Sequence, residues 1–258
     1  MTASPLALDL ALLSAAALGF RHGFDYDHLA AITDIAGVQS DSRAAMRMGL
    51  LYALGHAATV AVLGLGAIAF QVSLPSGVDA WMEHLVGVTL LVLGAYVLWS
   101  TLFRPRTHSH APRTRVLLLV NGVLWCVWKV RCAFSSQPLP RTQVFAGGIG
   151  QAPALLVGVI HGLGAETPTQ LMVFLLAANL GGLGKGLLGL GTFIAGMLLM
   201  NTLICAAAAG MFRISRHRPR AFEWAAGLSA AYSMIVGLIF LAGTSTFSSL
   251  FANLLALK

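Results

Sequence analysis

The sequence predicts an all-α integral membrane protein with six transmembrane helices arranged as two inverted three-helix repeats. Three observations carry that expectation. Of 258 residues, 57% are hydrophobic and only 10% charged, against about 25% charged in a soluble domain. Apolar runs recur along the chain at the roughly 20-residue length that crosses a bilayer. The two halves also open on matching His-Gly segments. The same composition excludes other classes. Disorder is incompatible with this hydrophobicity. A DNA-binding domain is excluded by the scarcity of Lys and Arg, 16 in all, despite a net charge of +7. Cys126, Cys132 and Cys205 make an odd number and no disulfide framework.

The first apolar run, Leu6 to Phe20, continues past a polar patch to about Ala36. No Lys or Arg precedes Arg21, so the basic start of a signal peptide is missing and the run is read as a mature first helix. Leu50 to Phe70 and Leu85 to Phe103 complete the first half, residues 1–103. A basic connection follows, residues 104–150, containing His108, His110 and several prolines. Within it, Val116 to Trp128 is mostly apolar but only 13 residues long, with Arg113, Arg115, Lys129 and Arg131 close by. That length suits an interfacial or re-entrant piece better than a span. Ala152 to Leu180, Leu187 to Phe212 and Trp224 to Phe247 make up the second half, residues 151–258. Gly181 to Gly184 reads as a loop. In lipid the backbone must satisfy its own hydrogen bonds, so the runs are helices. The alternation of a β-barrel strand is absent.

Basic residues orient the chain, because Lys and Arg accumulate on the cytoplasmic side. With six spans and both termini outside, Arg43 and Arg47, the seven between Arg104 and Arg141, and Arg213, Arg216, Arg218 and Arg220 all fall inside. Only Lys185 and Lys258 fall outside, and Arg21 lies in the membrane zone. A seventh span at Val116 to Trp128 would expel the four-arginine loop. The pI near 9.9 therefore reflects multi-pass topology in the cell membrane, and no nucleic-acid partner is expected.

Aligning His22 with His161, an offset of 139, places Gly23 on Gly162 and Asp27 on Glu166. Glu83 and Gly87 match Glu223 and Gly227 at an offset of 140. Three helices per half make the halves inverted, a transporter plan with its site near the midplane where interrupted helices meet.

Ionisable groups inside a span are expensive and functional by default. The first helix holds His22, Asp25, Asp27, His28 and Asp34. The second adds His56, and the opening helix of the second half adds His161 and Glu166. Imidazole with carboxylate suits divalent first-row ions such as Ni²⁺, Co²⁺ and Zn²⁺. His22, Asp25 and His28 are spaced three apart and share a helical face. Asp27 lies five beyond His22, about 140° round. Convergence of His22, Asp27 and His28 therefore requires local unwinding, for which Gly23 offers a place, as do Gly162, Gly164 and Pro168 in the second half. The plainer alternative is a hydrogen-bonded cluster pinning two helices. Asp25 is read equally as ligand or as support for a ligand, and Arg21 as snorkelling or pairing with Asp25. Met197 and Met200 read as packing.

Arg21-His22-Gly23-Phe24-Asp25-Tyr26-Asp27-His28-Leu29 resembles the His-x4-Asp-His signature of the nickel/cobalt transporter family, secondary permeases for Ni²⁺ and Co²⁺. Gly55-His56-Ala57 is similar to that family's Gly-His-Ser segment. Leu163-Gly164-Ala165-Glu166-Thr167-Pro168-Thr169-Gln170 resembles its Leu-Gly-x-Asp-Thr-Ala-Thr-Glu motif. Ala195 to Thr202 resembles its Ala-Gly-Met-x-Leu-x-Asp-Thr stretch. The matches fall in the family's order across nearly the whole chain. The chain departs at Glu166 for Asp, Gln170 for Glu and Asn201 for Asp, so two carboxylates of the implied ion path are missing. Members usually have eight helices, and this chain is expected to lack the first and the last.

The expected function is inward secondary transport of Ni²⁺ or Co²⁺, both of which accept this ligand set. His22, Asp27, His28 and His56 are the expected ligands. Asp25, His161 and Glu166 are ligands or their supports, and Gln170 and Asn201 lie on the ion path. The ion and the bilayer are the expected partners. No permanently bound cofactor and no catalysis are expected; a Walker-type nucleotide motif is absent. The alternatives are an efflux carrier, a non-transporting membrane partner in metallocentre assembly, or an intramembrane metalloenzyme. The last lacks a His-Glu-x-x-His pair.

Overall fold

The computed structural model describes residues 5–70, 78–103, 149–164 and 182–243. Val116 to Trp128, most of the 104–150 connection, Glu166, Pro168 and Gln170 lie outside the described residues. Seven helices appear among those described: α1 (Pro5–Gly23), α2 (Tyr26–Gly37), α3 (Ser42–Phe70), α4 (Val78–Phe103), α5 (Gln151–His161), α6 (Leu183–Ser215) and α7 (Pro219–Ala242). Four of them, α3, α4, α6 and α7, are long and apolar enough to cross a membrane. Leu54, Val62, Leu199, Leu203, Leu228 and Ile235 point outward, a surface that lipid solvates and water does not. The chain is a multi-pass helical membrane protein.

Two of the six expected spans take another form. The first apolar run is a broken helix: α1 stops at Gly23 and α2 begins at Tyr26. Asp25 is extended there (φ −60°, ψ 152°), and its carboxylate makes no capping bond to α2; it goes to His22 instead. In the second half α5 has 11 residues, too few to cross alone, and it ends at His161 with Gly162 as its cap. Both aligned His-Gly pairs thus sit at helix ends. Of the expected Gly181 to Gly184 loop, Gly181 lies outside the described residues, Gly182 precedes the helix with a φ of +80° that suits glycine, and Leu183 and Gly184 already belong to α6.

Small residues set the helix pairing, as membrane interfaces require. Gly19 and Gly23 of α1 lie against the Phe193 and Met197 carbonyls of α6, so these helices run parallel. Gly158 and Gly162 of α5 lie against the Tyr52 and His56 carbonyls of α3, again parallel. Gly87 and Gly237 face one another across α4 and α7, and Gly94 faces Ala230, which makes that pair antiparallel. Gly49 against Cys205 and Gly64 against Leu190 make α3 and α6 antiparallel. The short α2 is the hub, packed against α3, α4, α6 and α7, with Ala30, Ala31, Ile32 and Ile35 fully buried.

One end of the molecule is tied by polar contacts. The Arg216 guanidinium donates to the Gln39 and Ser40 carbonyls, both at 2.7 Å. The Gln39 amide donates to the Ile149 carbonyl at 3.2 Å. Asp41, at the start of α3, accepts the Ala44 N–H at 2.8 Å, which with the Ser40 hydroxyl holds its carboxyl below the usual carboxylate range. Arg43, Arg213, Arg218 and Arg220 flank this end. Lys185 lies at the far end of α6, a helix of 33 residues, roughly 50 Å long.

Candidate metal centre

The break between α1 and α2 frees His22, at the end of α1, from helical register with His28, in the first turn of α2. His56 projects from the middle of α3 toward both. One ligand nitrogen from each of His22, His28 and His56 lies within 4.8 Å of the others. Their ring centroids are 4.3 to 5.2 Å apart, and all three side chains are buried. Nitrogens sharing one ion at about 2.1 Å sit roughly 3.5 Å apart, so the three rings are gathered near, and not yet at, bonding distance of a common centre.

The hydrogen bonds orient these rings. His22 Nδ1–H donates to Asp25 Oδ2 at 2.8 Å, which leaves Nε2 of the neutral ring with its lone pair facing His56 Nε2 at 3.1 Å. The His56 Nε2–H then donates, and His56 Nδ1 has no partner. His28 Nδ1–H donates to Asn201 Oδ1 at 3.1 Å, and His28 Nε2 has no partner. A buried ring nitrogen without a partner is costly. Carboxylate or amide oxygen behind one nitrogen, with the other left bare, is the usual preparation of a metal-binding imidazole. Phe193 stacks on His22 at a centroid distance of 5.7 Å and closes that side.

Asp25 pairs with His22, in place of the Arg21 pairing considered from sequence; Arg21 is exposed. Asp27 is buried and near enough to interact electrostatically with His22, His28 and His161, but its oxygens are not among the converging atoms. His161 is buried behind Tyr52, with both nitrogens engaged. The Thr89 hydroxyl gives its one proton to the Val86 carbonyl, so it accepts from His161 Nε2–H at 2.8 Å. The Tyr52 O–H then donates to His161 Nδ1 at 2.9 Å. Tyr52 and Thr89 were not singled out in the sequence, although Tyr52 lies one helical turn before His56 and so on its face. Asn201 stands against His28 itself. Met197 is fully buried among Ala57, Val60, Leu190 and Phe193, a packing role. Glu166 and Gln170 fall outside the described residues.

No family model matches the sequence, and no solved structure matches it significantly. The urease accessory protein UreH of Bacillus sp. (strain TB-90) is 26% identical over 192 residues, covering 72% of this chain and 72% of that protein. The high-affinity nickel transport protein of Cupriavidus necator is 36% identical over 80 residues, which is 31% of this chain and 22% of that protein. The chain is thus similar to a urease accessory protein over most of its length and to a nickel transport protein over one segment.

Proposed function

We propose that the protein carries Ni²⁺ or Co²⁺ into the cell through the centre of the bundle, with His22, His28 and His56 as the ligands that replace its water. One observation carries this reading: three buried imidazoles meet at a broken helix, two of them with an unpartnered nitrogen. Asp27 supplies negative charge beside the ion, and Asp25 and Asn201 hold the rings in place. His161, fixed by Tyr52 and Thr89, and Glu166 support or relay the site from the other half, and Gln170 lies on the ion path. No resident cofactor and no bond-making step belong to this mechanism.

The helix directions support two inverted repeats of three spans, 1–103 and 151–258, joined by the cytoplasmic connection 104–150. A half-turn that exchanges the repeats converts the parallel α1–α6 pair into the parallel α5–α3 pair. It returns the antiparallel α3–α6 and α4–α7 pairs to themselves. Rocking one repeat against the other then opens the site to either side. Entry of a dication down 100 mV releases about 4.6 kcal/mol, two charges at roughly 2.3 each. That sustains roughly a thousandfold accumulation without a second fuel.

The test is radioactive Ni²⁺ and Co²⁺ uptake into proteoliposomes with an imposed negative interior. Wild type accumulates metal, and His22→Ala and His28→Ala lose it; full uptake in both variants would remove the imidazole site. A second reading has support from the relative that aligns over most of its own length, an accessory protein by name: a membrane partner that binds the metal and hands it on. Saturable metal binding with no potential-driven flux favours that reading, and outward-only exchange favours an efflux carrier.

A further inference from the structure

We propose that Asp34, Ser229 and Ser233 form a second, all-oxygen cation site in the seam between α2 and α7, which receives the metal ion as it leaves the imidazoles. The proposal rests on the permease reading above. Asp34 is fully buried and follows Asp27 by seven residues, on the same face of α2 and about 10 Å further along it. The Ser229 hydroxyl donates to Asp34 Oδ1 at 2.5 Å. Ser229 and Ser233, four apart on α7, present both hydroxyls to one place, and Ser233 lies beside the same carboxyl. Yet Asp34 Oδ2 and the Ser233 hydroxyl, both buried, have no hydrogen-bond partner among the described residues.

The bland account is that Asp34 pins α2 to α7 through Ser229, which also contacts the Thr33 hydroxyl at 3.1 Å. It explains Oδ1 and leaves Oδ2 and Ser233 unexplained, in surroundings where an unmatched polar atom is penalised heavily. A passing cation satisfies both atoms at once. Carboxylate and hydroxyl oxygens hold Ni²⁺ and Co²⁺ less firmly than imidazole does. A weaker station after a tighter one lets the ion leave, since conduction fails when the only site binds too well.

The experiment measures Ni²⁺ affinity of the purified full-length protein and Ni²⁺ flux in proteoliposomes, for wild type, Asp34→Asn and Ser233→Ala. Asparagine still accepts the Ser229 hydrogen bond, so a mere pin survives it. The Ser233 hydroxyl lies beside the carboxyl but has no well-formed hydrogen bond among the described residues, so a structural role predicts at most a small effect of removing it. The expected result is unchanged affinity of the tighter imidazole site in both variants, loss of the weaker binding step and flux lower by about tenfold or more in Asp34→Asn, and a smaller flux loss in Ser233→Ala. Wild-type flux in both variants overturns the proposal. Loss of the tighter, imidazole-site affinity together with flux in Asp34→Asn also overturns it, making Asp34 a support of the imidazole site. So does a stoichiometric proton counterflow, read by an entrapped pH dye and lost in Asp34→Asn, which would assign the carboxyl to protons. Wild type that binds Ni²⁺ but moves none removes the permease reading, and the station with it.

Discussion

His28 is held by Asn201, where the family pattern that the sequence resembles has a carboxylate. The amide oxygen accepts the Nδ1–H at 3.1 Å, so the residue still fixes the ring and leaves Nε2 outward; what it lacks is the negative charge that strengthens a ligand imidazole. Asn201→Ala removes the orienting contact and is expected to weaken Ni²⁺ binding about 10- to 100-fold, measured by metal titration of the purified protein. Unchanged affinity would reduce Asn201 to packing. His22 and His28 were legible in the sequence, because two imidazoles and three carboxylates in one span have no cheap structural explanation. His56 was expected beside them; the place of Asp27, next to the rings and outside the converging atoms, was not legible. Spacing along a regular helix cannot supply angles across a break.

At the scale of the helix, the break after Gly23 was anticipated from the need to bring Asp27 together with His22 and His28, whereas the pairing of helices was not. Glycine recurs all along this chain, 28 times, and the sequence does not distinguish the glycines at contacts from those facing lipid. A Cβ on Gly158 would meet the Tyr52 carbonyl oxygen, which is backbone and cannot swing aside, whereas nothing lies within 4 Å of one on Gly227. Gly158→Ala is therefore expected to destabilise the protein by about 1–3 kcal/mol. Gly227→Ala, in the interior of α7, is expected to be neutral or stabilising by up to about 1 kcal/mol. Thermal unfolding in detergent, read by retained Ni²⁺ binding or by circular dichroism, ranks the two; equal behaviour would show that α3 and α5 are not in this close contact. Displacing α5 from α3 also disturbs Tyr52, and through it the His161 network behind the metal centre.

For the whole molecule, direction follows from where the charges lie. The ties from Arg216 to Gln39 and Ser40, and from Gln39 to Ile149, gather the α2–α3 turn, the approach to α5 and the α6–α7 turn at one end. Arg43, Arg213, Arg218 and Arg220 are at that end, while Lys185 stands at the other. The cytoplasmic leaflet attracts such a belt by about 1 kcal/mol per residue near its surface. In sealed cells a membrane-impermeant maleimide is expected to label Lys185→Cys directly and Ser40→Cys only after permeabilisation, each read against wild type to subtract the native cysteines. The reverse pattern would invert the protein and turn the proposed uptake into export. Composition and the lengths of the apolar runs by themselves determined that this is a helical membrane protein, since the cost of bare backbone and charge in lipid leaves little choice. They also marked the ionisable first span, where that cost must be offset. The tertiary structure alone decided the angles at which the imidazoles meet, which carboxylate and amide hold them, and that Asp34 Oδ2 has no partner among the described residues although Ser233 is close by. Those outcomes depend on the angle across a helix break and on close approach between separate segments, 34 residues apart for His22 and His56, 173 for His28 and Asn201 and 195 for Asp34 and Ser229, which no local pattern of residues encodes.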